Sequence, residues 1–163
     1  ICSSICYDKF DKVLYVGDLL EKPLPVLNYL DLNRYINTLE FIKSLNVLVL
    51  ISTHSEIVSI DLIDSHIHYL KDVINGKYLT YTNEEFPIRH AFNLKALLLL
   101  QNEKKFKEIL KDNFNYNDYK LDLWNFIMHK NNMFDKILWD IRDISYNDLK
   151  IVLEEYIKER LPK

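Results

Sequence analysis

Glycine is almost missing from this chain: among 163 residues only Gly17 and Gly76 occur. Glycine-rich phosphate cradles, the P-loop and the dinucleotide fingerprint alike, need several glycines at fixed spacing so that backbone N–H groups can close on a phosphate. Both are excluded. Cysteine is equally scarce, with Cys2 and Cys6 alone, too few for a disulfide framework or a four-cysteine zinc site. The pair reads as reduced thiols in a cytoplasmic protein. Four positions apart in a strand, they would share a face and are expected to be small buried apolar groups. Long hydrophobic runs are lacking too. Val47 to Ile51 and Ala96 to Leu100 fall far below the ~20 residues that span a bilayer as a helix, so no membrane segment is expected. The first residue is Ile, with no basic start or apolar signal core, so the N-terminus resembles a cut edge more than a signal peptide. Positive charge is not in excess: 21 Lys and Arg against 24 Asp and Glu give a formal net charge of −3. A nucleic-acid partner or an anionic membrane would call for clustered Lys and Arg, and neither is expected.

What is present is a hydrophobic share of 48% and an aromatic share of 13%, enough for one compact domain, or a domain fragment with a helical appendage. Ile1 to Tyr7 and Lys12 to Val16 read as an antiparallel strand pair joined by the polar turn Asp8-Lys9-Phe10-Asp11. Gly17-Asp18 follows the second strand directly, and Lys22-Pro23-Leu24-Pro25 forces an extended loop. Asp31 can cap a helix to about Leu45, with Leu32, Tyr35, Ile36, Leu39, Ile42 and Phe41 or Leu45 at helical spacing. Val47 to Ile51 reads as a buried strand that delivers the chain to Ser52-Thr53-His54. Ser59 or Asp61 opens a second helix that ends at Asn75-Gly76. Tyr78 to Thr82 and Arg89 to Leu100 look like strand segments, the second also compatible with a helix start. From Lys104 onward the pattern is helical, with Ser145-Tyr146-Asn147-Asp148 resembling a cap before a last helix whose outer face carries Lys150, Glu154, Glu155 and Lys158. The expected organisation is a first region of residues 1–100 and a helical extension of residues 101–163.

Asp18 and His54 each lie just past a strand with a helix between them, an arrangement that lets both side chains converge at one sheet edge. Their oxygen and nitrogen donors suit zinc, iron or manganese. By itself the pair is weak: an aspartate after glycine is commonly a turn residue, and a histidine at a strand end is commonly a packing residue.

The ordered set of segments carries more. Ser4-Ile5-Cys6-Tyr7-Asp8 through Lys12-Val13-Leu14-Tyr15-Val16-Gly17-Asp18-Leu19-Leu20 resembles the segment of the metallo-β-lactamase superfamily in which a strand pair ends in Gly-Asp. Tyr35 to Ile42 looks like the helix before that family's last core strand, and Leu50-Ile51-Ser52-Thr53-His54 looks like the strand end with its final metal-binding histidine. The helix from Asp61 to Ile74 occupies the place of the following helix. The resemblance covers nearly half the chain. It implies an α/β fold: the C-terminal half of an αββα sandwich followed by an α-helical extension. It further implies a metal-dependent hydrolase, with two divalent ions in the parent protein, zinc first and iron or manganese open. Asp18 would bridge the ions, His54 would bind one of them, and a small molecule would be the substrate.

Two departures stand against it. Thr53-His54-Ser55 replaces the family's frequent Gly-His-Gly, and the His-x-His-x-Asp-His signature that supplies most of the ligands does not occur in these 163 residues. His66-Ile67-His68 is no substitute, because residues two apart on a helix face different directions. This chain alone is therefore expected to be inactive. The alternative is a non-catalytic scaffold or interaction domain derived from the same fold. Half a sandwich would expose an apolar sheet face, which, like the C-terminal helices, offers a route to a homodimer or to aggregation. Elsewhere, His90 is expected to be a satisfied structural histidine and His129 a solvated one. Tyr116, Tyr119, Trp124, Phe126, Phe134 and Trp139 are expected to pack a helical core or an interface.

Overall fold

Asp8 closes the first turn: its Oδ1 accepts the amides of Phe10 at 2.8 Å and Asp11 at 3.1 Å, the local bonding that suits aspartate to turns. In the computed structural model, which describes residues 5–53, 56–77, 87–130 and 144–161, this turn joins β1 (Cys6–Asp8) to β2 (Val13–Gly17) as an antiparallel pair. β2 then pairs in parallel with β3 (Val49–Ser52), and β3 pairs antiparallel with β4 (Glu56–Val58). The result is a mixed four-stranded sheet in the order β1-β2-β3-β4. With five α-helices among the described residues, the fold is α/β. β4 was not expected: three residues are too few to display a period-two pattern, and the strand exists through its pairing with β3.

Parallel strands need a crossover, and here it is α1 (Leu32–Ser44). Asp31 caps it, its Oδ1 accepting the Arg34 amide at 3.0 Å. Leu32, Tyr35, Ile36, Leu39 and Ile42 form its buried stripe, while Phe41, one of two alternatives for that stripe, is exposed. α2 (Asp61–Ile74) buries Ile63, His66, Ile67, Tyr69, Leu70 and Val73 and packs beside α1. It ends as the sequence predicts. Gly76 takes φ +68°, with the Gly76 amide on Val73 O at 3.2 Å and the Lys77 amide on Asp72 O at 2.8 Å, the bonding of a glycine-terminated helix.

The sheet has two unlike faces. Leu14, Leu50 and Val58 are register partners in one row and are buried, as is Val16. The next row, Cys6, Tyr15, Ile51 and Ile57, points the other way. On it Tyr15 is 51% and Ile57 69% exposed. Cys6 is exposed as well, which corrects the expectation of a buried thiol: its strand presents it to the bare face. Cys2 lies outside the described residues.

The chain divides into two compact units, Ile1–His90 and Ala91–Lys163. Of the two readings of Arg89 to Leu100, strand or helix start, the helical one holds, for this stretch belongs to α3 (Pro87–Leu110). Ala96 to Leu100 is apolar in every direction and so carries no period. Pro87 at the first helical position, with good helix formers after it, is the local signal that decides. The strand expected at Tyr78 to Thr82 lies outside the described residues. In the second unit, α4 (Tyr116–Lys130) and α5 (Tyr146–Arg160) share a core of Phe106, Tyr119, Leu123, Phe126, Ile127, Ile144, Leu149, Val152, Leu153 and Tyr156. Ser145 caps α5 as expected, its Oγ accepting the Asp148 amide at 3.1 Å. Tyr119 and Phe126 are thus core residues, whereas Tyr116 and Trp124 are exposed and Phe134 and Trp139 fall outside the described residues. Among the described residues no helix is long and apolar enough to cross a membrane.

Candidate functional site

In open α/β sheets ligands gather at the carboxyl ends of parallel strands, where loops leave the sheet. Here those ends belong to β2 and β3. Gly17 closes β2 at φ +56°, a left-handed conformation that glycine adopts without steric cost, and the pairing with β3 slips between Tyr15 and Gly17. Gly17 O accepts the Thr53 amide at 3.2 Å. Asp18, exposed, is the first residue past β2, and Thr53 is the residue before His54. The backbone thus brings the segments leading to the two candidate ligands side by side. His54 itself lies outside the described residues.

Beyond Asp18 the loop turns at once, the Leu19 amide donating to Val16 O at 3.1 Å. Leu20 is fully buried. Tyr35 on α1 donates its hydroxyl to Leu19 O at 2.5 Å. Burial pushes the Tyr35 phenol far up, with Tyr29 and Glu21 adding to the shift, so it stays a proton donor across the physiological range. Glu21 pairs with Arg89 at the start of α3, Oε2 to Nη1 at 3.3 Å.

The three described histidines of the first unit divide cleanly. His66 on α2 is wholly buried, and neither ring nitrogen makes a hydrogen bond of ordinary geometry. Burial pushes its pKa down to about 4, opposed weakly by the nearby Glu21 backbone, so it is neutral at pH 7. His68, two residues on, has a side chain 75% exposed and sits 3.3 Å from Asp72. The pair therefore cannot chelate one ion together, as their spacing implies. His90 is buried against Tyr69, its Nδ1 3.0 Å from the hydroxyl. His129 is exposed. Ser52, the last residue of β3, faces the buried side with its Oγ lacking a protein partner.

Asp18 and His54 offer donors that divalent zinc, iron and manganese accept. Two donors are fewer than the three or four protein ligands of a metal centre, and no group of three or more His, Cys, Asp or Glu that could hold an ion occurs among the described residues. The two donors by themselves do not complete a metal centre. Compared with protein-family models, curated proteins and solved structures, it matches none.

Sequence reasoning did not single out Tyr35, Glu21, Arg89 or His66 as neighbours of the Asp18 loop. His66 was legible as a core position, because it falls on the face shared by Ile63, Ile67 and Leu70. The Tyr35 and Arg89 contacts were not, since they join residues 16 and 68 positions apart.

Proposed function

We propose that this chain is the C-terminal half of a metallo-β-lactamase-fold hydrolase, followed by a helical extension, and that the parent protein uses a metal-activated water. The observation that carries the reading is the bond from the Thr53 amide to Gly17 O, which joins the segments preceding His54 and Asp18 at the ends of parallel strands. The open apolar row Cys6, Tyr15, Ile51 and Ile57 supports it, because a sheet face of this kind is what a second sheet would cover in a two-sheet sandwich. In the parent, Asp18 and His54 would help to hold a centre of two divalent ions, zinc first among the candidates. The ions when bound supply an acidified water and polarise the scissile group. The substrate is a small molecule whose class the fold does not choose.

Elemental analysis of the full-length parent, purified without chelator beside Asp18→Ala and His54→Ala forms, tests this. Near-stoichiometric metal that falls on either substitution supports the hydrolase. A parent without metal, or with metal indifferent to both changes, moves the reading to a non-catalytic scaffold of the same fold.

A further inference from the structure

The loop that carries Asp18 is tied down by groups from outside it. On its near flank the Thr53 amide holds Gly17 O. One residue past Asp18, the Tyr35 hydroxyl from α1 holds Leu19 O. Three residues past it, Glu21 is paired with Arg89 from α3. This pair is not an open-surface contact, because the Arg89 and Glu21 side chains are only 30% and 13% exposed, and screening by water is correspondingly reduced. Leu20, buried between the two tethers, anchors the same turn in the core. The Tyr35 and Arg89 bonds go to Leu19 and Glu21, so their effect on Asp18 runs through the backbone.

We propose that Tyr35 and the Glu21–Arg89 pair are positioning residues that fix the loop from Gly17 to Glu21, so that the Asp18 carboxylate leaves the sheet edge in one direction beside Thr53. The inference rests on the reading of Asp18 as a metal ligand. A ligand whose backbone is already fixed loses less conformational freedom when an ion binds, and supporting contacts of this kind orient ligands that they do not touch. Tyr35 suits the task because its hydroxyl stays protonated and its ring is packed in α1's buried stripe. Glu21 and Arg89 suit it because they connect the loop to a different helix, giving a second fixed point.

The test uses the full-length protein containing this chain, with zinc as the probe. Tyr35→Phe removes the donor and keeps the ring, and Glu21→Gln removes the charge from the pair. Each is expected to weaken zinc binding in a chelator competition by roughly 10- to 100-fold, the usual cost of losing such a support. Each should also alter the visible spectrum of the cobalt-substituted protein while leaving the melting temperature near the parent's. Exchanging the charges, with Glu21→Arg and Arg89→Glu together, should recover part of what Glu21→Gln loses. A purely structural role would lower the melting temperature and leave the affinity and spectrum of the folded fraction unchanged, and that result overturns the proposal. Asp18→Ala separates the two claims. If it abolishes zinc binding while Tyr35→Phe and Glu21→Gln do nothing, positioning fails and the metal reading stands. If zinc binding ignores Asp18→Ala, the metal reading fails and the positioning role with it.

Discussion

The two faces of the small sheet differ by one residue of register and by nearly everything else. The row Leu14, Leu50 and Val58 is sealed, while the row Cys6, Tyr15, Ile51 and Ile57 is apolar and largely open. An antiparallel sheet with one wet face normally alternates apolar with polar residues, whereas strands covered on both sides are apolar throughout. This sheet has the composition of the second kind and the exposure of the first. The difference teaches that the strands are apolar on both faces and that the described residues of this chain cover one of them.

The largest expected effect sharpens that contrast. Leu14→Ala on the sealed face should lower unfolding free energy in a denaturant melt by about 2–5 kcal/mol, through lost burial and the cavity left behind. Ile57→Ala on the open face should change it by no more than about 0.5 kcal/mol, the ordinary range for surface positions. Equal losses at both positions would break the comparison and mean that something covers the open row.

Next in size is an effect of pH on the sealed side. His66 titrates near 4 in the fold and near its ordinary 6.5 when unfolded, so the unfolded chain takes up the proton first as pH falls. Stability is full above about pH 6.5 and declines between there and about 4, by about 3 kcal/mol for a shift of this size. His66→Leu should flatten that decline, because it removes the group whose proton uptake differs between the folded and the unfolded chain. A variant whose stability still falls as steeply between pH 6.5 and 4 would assign the slope to other groups.

The smallest effect on stability should accompany a visible effect on association. Tyr15→Glu with Ile57→Lys puts charge on the open row at a cost of about 0.5 kcal/mol or less each, and should shift this chain toward monomer in gel filtration at concentrations where the unmodified chain associates. An unmodified chain that is already monomeric and binds no apolar dye would mean that the open row is not an interface.

Much of the first unit was legible because its signals are local. Asp31 caps, Gly76 terminates, and the stripe from Leu32 to Ile42 repeats at helical spacing, each within a window of a few residues. β4 was hidden because three residues hold no period, and the start of α3 stayed open between strand and helix because Ala96 to Leu100 is apolar on all sides. Cys6 was misplaced because burial of a strand residue depends on what lies over its face, which no short window contains. Of the candidate site, Asp18 stands just past β2 as its place after Gly17 predicts, and His54 lies outside the described residues. The tethers Tyr35 to Leu19 and Arg89 to Glu21 form only once helices and loop have met in space.

The central claim is that Asp18 and His54 are ligands of one metal centre. X-ray diffraction from crystals of the full-length protein, collected at the absorption edge of the metal found by elemental analysis, would decide it. The account predicts anomalous peaks within bonding distance, about 2.0–2.2 Å for zinc, of the Asp18 carboxylate and the His54 imidazole. Anomalous peaks elsewhere, or none in crystals of a protein that retains its metal in solution, would contradict it.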